Sequence, residues 1–253
     1  MRQITHPWSP GTRAFTWGVR AHAAEGNERA RMDVWSRRLT VGAGLIGVAV
    51  ISLGVLITAF AYAGPTQEPY SPFNHFVSEL GNTQESELAG LFNIALVIGG
   101  LAFALFTIGV GLRLRGVLRY VFVTGGALVG ISGARVGVFP MDVTPATHQL
   151  VALLFFEGSL VLLVLFSAHV AFARRPAYPG RLALAALPMI VSNAVFVVVV
   201  RSSGTGALAA TASERGPFLL VTTAEWGVLV FLLAWVAAFA LWRARLREGH
   251  SSS

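Results

Sequence analysis

Six long apolar stretches set the frame for this chain, at roughly 39–63, 88–112, 117–139, 148–173, 182–200 and 217–242. Crossing about 30 Å of hydrocarbon at 1.5 Å per residue takes about 20 helical residues, and each stretch reaches that length or nearly so. Only 12% of the 253 residues are charged, against 55% hydrophobic. A soluble domain of this size needs about twice that charged share to cover its surface. The expected fold is therefore all-α: a polytopic membrane bundle of six transmembrane helices. Residues 1–38 are expected to form a disordered cytoplasmic tail, 39–242 the membrane domain and 243–253 a short cytoplasmic tail.

Charge is distributed by side. Arg113, Arg115 and Arg119 follow the second stretch, Arg174, Arg175 and Arg181 the fourth, and Arg243, Arg245 and Arg247 the sixth. The N-terminal tail adds Arg2, Arg13, Arg20, Arg29, Arg31, Arg37 and Arg38, so 16 of the 19 arginines share one side. The opposite side holds Glu68, Glu79, Glu85, Glu87, Asp142 and Glu214, with only Arg135, Arg201 and Arg215 at or near it. The positive-inside rule then places both termini in the cytoplasm of a cell whose plasma membrane the chain crosses. Topology accounts for the sequence pI of about 11.1, and no nucleic-acid partner is needed. There is no lysine, as expected of codon bias in a GC-rich bacterial genome. The absence of cysteine excludes disulfides, thiolate metal sites and cysteine nucleophiles.

Two alternatives concern the N-terminus. Ala61-Tyr62-Ala63 has the form of a signal-peptidase site, but the preceding run exceeds 20 residues, longer than the 7–15 or so of a signal core. Translation from Met1 or from Met32 fits the sequence equally. Trp8, Phe15 and Trp17 would lie on the membrane surface only if the tail is real and not simply disordered.

Within the spans, Gly126, Gly130, Gly133 and Gly137 recur on one helical face, which permits close helix approach in lipid and puts the third span at the centre. The longest outer loop reads Tyr70-Ser71-Pro72-Phe73-Asn74-His75-Phe76-Val77-Ser78-Glu79-Leu80-Gly81. Ser71 suits an N-cap, Pro72 the first helical position and Gly81 the stop. The spacing predicts an amphipathic helix, with Phe73, Phe76, Val77 and Leu80 on one face and Asn74, His75, Ser78 and Glu79 on the other. It would lie at the interface or tuck into the mouth of the bundle. Asn82 and Glu85 have capping-box spacing. Thr144 and Pro145 open the fourth span, which puts His148 in its first turn and Asp142 close by.

These motifs resemble a known family. Ser-Pro-x-x-His-x-x-Ser-Glu-Leu-Gly at 71–81, Leu91-Phe92-Asn93, and Arg135-x-Gly-x-Phe-Pro-x-Asp followed by His148 look like the domain of unknown function 998. The resemblance covers about 40–240 and implies a six-span prokaryotic membrane protein without an assigned activity. A looser likeness is to the ceramidase-like membrane hydrolases, whose metal is held by histidines, an aspartate and a serine. His75, Ser78, Asp142 and His148 are the matching residue types. That pattern also needs a late histidine pair, and the spans after His148 offer only His169.

Arg135, Glu157 and Glu225 fall inside spans, where an isolated charge costs about 2.5–3.5 kcal/mol, so they are expected to face inward and pair. Arg135 is expected to meet Glu157 or Glu225, with Asn193 at a similar depth. Helical phase puts His148 with Ala152, Phe155 and Ser159, and Glu157 on the opposite face. The candidate catalytic residues are His75, Ser78, Asp142 and His148. Glu79, Arg135, Glu157, Asn193 and Glu225 form the candidate binding or ion-pair network. No cofactor is required, although His75, Asp142 and His148 suit Zn²⁺ in ligand type.

Three functions remain open. One is binding of a lipid or small molecule at the outer mouth, another hydrolysis of a lipid, and the third transport through the intramembrane charges. Membrane lipids are the expected partners, and the oligomeric state stays open. Against transport, no span is broken mid-membrane by a Pro-Gly pair, and Pro188 lies away from the polar outer residues.

Overall fold

The computed structural model describes residues 26–28, 30–64, 67–174, 176–203 and 215–246. It is helical, and among the described residues the only strand-like feature is an isolated bridge between Ala63 and Pro69. Among the described residues six helices are long and apolar enough to cross a membrane: Gly26–Phe60, Ala89–Gly111, Val117–Val138, Pro145–Phe172, Gly180–Ser202 and Leu220–Arg245. These are called the first to sixth spans. An integral membrane protein follows, because a helix satisfies its own backbone polar groups and so survives in hydrocarbon. The end bearing residues 61–88 is the loop end; the opposite one, with Arg113, Arg181 and Arg243, is the arginine end.

The first helix starts earlier than the apolar run does. Residues 30–38, expected to belong to a disordered tail, are helical and run into the span. Asp33 explains the extension: its Oδ1 lies 2.5 Å from both Arg113 Nη1 and Arg243 Nη2. Ser36 Oγ adds a bond to the Gly109 carbonyl at 2.7 Å. Polar residues thus anchor a turn that hydropathy alone excludes. Residues 1–25 of the expected tail, with Trp8, Phe15 and Trp17, lie outside the described residues.

Each span packs against its neighbours in sequence, and the sixth closes back onto the first. The result is a ring of six helices in chain order. The second and third spans make the most extensive contact, and the expected glycine face is part of the reason. A side chain at Gly126 would meet Thr107 at 2.6 Å, and one at Gly130 or Gly137 would strike the backbone of Ala104 or Asn93. Gly133 instead accommodates Phe155 of the fourth span. The most enclosed helix is the second, not the third. The glycines bring the third span close to a partner without placing it at the centre.

The middle of the ring differs along its length. Toward the arginine end, Phe106, Phe166, Trp235 and Phe239 pack in edge-on and tilted contacts with centroids 5.3–5.8 Å apart. Tyr178 closes this cluster and donates to the Val110 carbonyl at 2.8 Å. Toward the loop end the centre is not filled.

Candidate functional site

A cavity of about 130 Å³ occupies the interior of the ring. That is roughly ten times the space one water needs. Gly47 and Ile51 of the first span, Phe103 and Phe106 of the second, Val136 of the third, Phe155 of the fourth and Leu232 of the sixth line it. The fifth span contributes nothing to the wall. Three polar residues are part of the lining: Ser78, His148 and Glu225. They belong to the loop, to the first turn of the fourth span and to the loop-end half of the sixth, so one end of an apolar chamber is polar.

The loop that roofs this chamber does not form the expected amphipathic helix. A turn closes on the Ser71 carbonyl, which accepts from His75 N at 2.9 Å; Phe76 is extended, and a short 3-10 turn runs Val77–Gly81. The cause is competition for backbone groups. In an α-helix Phe73 O would take the Val77 amide. Here Phe73 O accepts from Leu219 N at 2.7 Å and Thr222 Oγ1 at 2.9 Å, while Val77 N donates to Glu225 Oε2 at 2.8 Å. Asn74 O accepts from Arg215 Nη1 at 2.9 Å, and Phe76 O from the Tyr70 hydroxyl at 2.7 Å. The sixth span and its approach thus hold the loop by the groups a helix would have used.

Burial of the loop's polar residues follows. His75 and Glu79, placed by periodicity on a polar face, are 1% and 4% exposed. Glu79 Oε1 pairs with Arg215 Nη1 at 2.7 Å and its Oε2 accepts from Phe76 N at 2.9 Å. Arg215 also lies over the Phe76 ring, 5.0 Å from its centroid. Burial pushes the Glu79 carboxyl up from the ordinary range, and the Arg215 charge opposes that without overcoming it. His75 sits between Tyr62 and Tyr70, with centroids 5.3 and 5.0 Å away, and Trp226 donates to the Tyr70 hydroxyl at 3.1 Å. Its Nδ1 lies 3.1 Å from Ser71 N, and burial holds the imidazole below its ordinary value. His75 is packed into the roof and does not line the chamber.

The other expected site residues separate. Asp142 Oδ2 accepts from the amide and hydroxyl of Thr83, at 3.1 and 2.5 Å, and so ties the first and second loop-end connections together. Asn82 Oδ1 accepts from Gln84 N at 3.0 Å, capping a tight turn rather than a helix. Arg135 does not meet Glu157 or Glu225. It is exposed and lies 5.4 Å from the centroid of Phe139 on its own helix. Glu157, expected to face inward, turns outward because it lies opposite the chamber-facing His148 on its helix, and takes Arg201, whose Nε donates at 2.6 Å. Asn193 is fully buried and donates to Phe156 O at 2.9 Å and Ser159 Oγ at 3.0 Å, which fastens the fifth span to the fourth. Among the described residues no group of three His, Asp or Glu is placed to hold a metal ion.

His148 lines the chamber with Ala152 and Phe155, two of the three residues that helical phase put on its face; the third, Ser159, is not part of the lining. Its Nδ1 lies 2.8 Å from the Phe139 carbonyl oxygen. A carbonyl only accepts, so Nδ1 carries the proton, and in the neutral ring Nε2 is an acceptor.

The family comparison covers most of this architecture. A model described as "Protein of unknown function (DUF998)" matches residues 50–242. The chain belongs to this DUF998 family. The match takes in the roof loop, His148 and Glu225, and leaves out the helical extension around Asp33. No curated protein and no solved structure matches the chain. The looser likeness to ceramidase-like hydrolases gains no support from either comparison.

Sequence reasoning missed Arg215 as the partner of Glu79 and Asp33 as the arginine-end anchor. Arg215 was visible only as one of three basic residues on the acidic side. Tyr62, Tyr70 and Trp226 carried no spacing signal, because they come from different segments.

Proposed function

We propose that this DUF998 protein binds a single-chain amphiphile inside its helical ring, with the apolar chain in the chamber and the polar head at Ser78, His148 and Glu225. The observation that carries this reading is the one-sided chemistry of the chamber: aromatic and aliphatic walls with polar groups from three separate segments. Apolar cavities of this kind stay dry and take up apolar ligands, and in a bilayer the abundant apolar solute is an acyl chain. Ligand sites generally combine apolar walls with a few convergent polar groups. The Nε2 of a neutral His148 accepts a hydrogen bond, so the fitting head carries a donor: a hydroxyl, amide or amine.

The chain is further read as a plasma-membrane protein with both termini in the cytoplasm and the roofed mouth outside, on the strength of its one-sided arginines. The lack of cysteine makes that testable. A single cysteine at Glu87 should react in intact cells with a membrane-impermeant maleimide, and one at Gly249 should not.

Binding is tested by titrating the purified protein with a fluorescent long-chain alcohol. Saturable binding should weaken at least tenfold in Glu225→Gln and vanish in Ala152→Trp, which fills the chamber. Equal binding by all three proteins would refute the reading.

A second reading has one observation in its favour. Ser78 and His148 line the same chamber, and a serine hydroxyl and an imidazole of fixed tautomer are the two groups that ester hydrolysis pairs. Fluorophosphonate labelling of Ser78 that is lost in His148→Ala would favour hydrolysis over binding alone.

A further inference from the structure

A second recess lies at the arginine end, between the start of the fifth span and the end of the sixth. It has a volume of about 430 Å³ and is lined by Arg181, Arg245, Trp242 and the apolar residues Ala185, Ala238 and Leu241 among others. It shares no lining residue with the interior chamber. Ala185, Ala238 and Leu241 are exposed on the outside of the ring, so this recess opens sideways toward lipid.

Its two arginines differ from their neighbours. Arg113 and Arg243 share Asp33. Arg181 and Arg245 have no ion pair among the described residues. Both are exposed. Arg245 is the last residue of the sixth span and Arg181 lies in the first turn of the fifth, which sets both at headgroup depth. The fifth helix begins at Gly180, so the positive end of a 24-residue helix is in the same place. Trp242, packed at 5.8 Å on both Tyr178 and Phe239, is an aromatic of the kind found at membrane interfaces.

We propose that this recess binds an anionic phospholipid. Arg181 and Arg245 hold the headgroup phosphate, and an acyl chain runs along Ala185, Ala238 and Leu241. Two guanidiniums with no ion pair among the described residues, beside a helix N-terminus, favour net negative charge. A phosphocholine headgroup carries its own ammonium and meets repulsion there. The apolar wall selects a lipid over a free anion. This site does not depend on what the interior chamber binds.

The full-length chain in bilayer discs of one part phosphatidylglycerol to three parts phosphatidylcholine provides the test, with retained lipid counted by native mass spectrometry. One phosphatidylglycerol per chain is expected to be retained in preference. The preference should fall about thirtyfold in R181Q/R245Q and about fivefold in either single variant, at roughly one factor of five per arginine near the surface. Because the single variants report separately, a double variant that fails to fold does not remove the test. R115Q and R174Q alter exposed arginines on the same face outside the recess and should keep the preference. Equal losses in R115Q or R174Q, or none in the recess variants, would overturn the proposal. Displacement of the retained lipid by 10 mM inorganic phosphate would also overturn it, in favour of a free-anion site.

Discussion

The two ends of the bundle handle charge in opposite ways. At the arginine end most cations face water and headgroups, and a half-exposed Asp33 bridges two of them, one of which, Arg243, is 3% exposed. At the loop end the key charges are withdrawn from solvent. Glu79 and Arg215 have side chains 6% and 5% exposed, and Glu225 meets a backbone amide inside the ring. A charged rim costs little and mainly orients the chain. A buried set of charges costs desolvation and gains from it only if the geometry of the roof depends on the pairing.

The largest test of that contrast removes one partner of the buried pair. Arg215→Ala or Glu79→Ala leaves an uncompensated buried charge and should cost about 3–5 kcal/mol. In detergent this would read as a drop in Tm or a failure to fold. Replacing both with leucine should recover most of the loss, which would show that the pair sets roof geometry more than it supplies stability. If the single variants are as stable as the parent protein, the roof is not held by this pair.

Next in size is the contact between the second and third spans. A side chain at Gly100 would strike the backbone of Ala134. Gly100→Val should therefore cost about 1–3 kcal/mol by overpacking, and Gly90→Val, with open space around it, should cost far less. At the arginine end, Asp33→Asn should cost only about 1 kcal/mol, because its carboxylate is half exposed and screened. A larger loss there than at Glu79 would reverse the proposed contrast.

The smallest effect is on pH dependence. Burial lowers the His75 imidazole from its ordinary 6.5, so the fold favours the neutral ring. Its contribution to stability is complete above about 6.5 and is lost as pH falls through that value toward the folded one. Glu79 has the opposite sign. Its carboxyl is raised from 4.5, so its contribution is present below that value and is lost as pH rises through the folded one. His75→Gln should flatten the loss of Tm on the acid side of 6.5. An unchanged profile would remove His75 from the account.

The spans, the side of the arginines and the inward face of His148 were legible because each depends on local periodicity or composition. Glu157 was read in two ways: its phase put it opposite His148, but its depth suggested an inward ion pair, and it faces outward to Arg201. The roof was not legible. Residues 71–81 have good helical spacing, but Leu219, Thr222, Arg215 and Glu225, more than 130 residues away in sequence, take the backbone groups that helix would need. Arg135 misled for a related reason. Depth in a span suggested burial, but whether a neighbour shares its azimuth depends on how the helices are rotated, and this one faces outward beside Phe139.

The most direct measurement of the central claim is photo-cross-linking with a long-chain alcohol carrying a diazirine midway along its chain. On the same helices, Phe103, Phe106 and Leu232 face the chamber, whereas Leu101, Leu105 and Val230 are 48%, 45% and 50% exposed on the outside of the ring. Labelling is expected at Phe103, Phe106 or Leu232, suppressed by Ala152→Trp. Labelling confined to Leu101, Leu105 and Val230, and unaffected by Ala152→Trp, would contradict that claim.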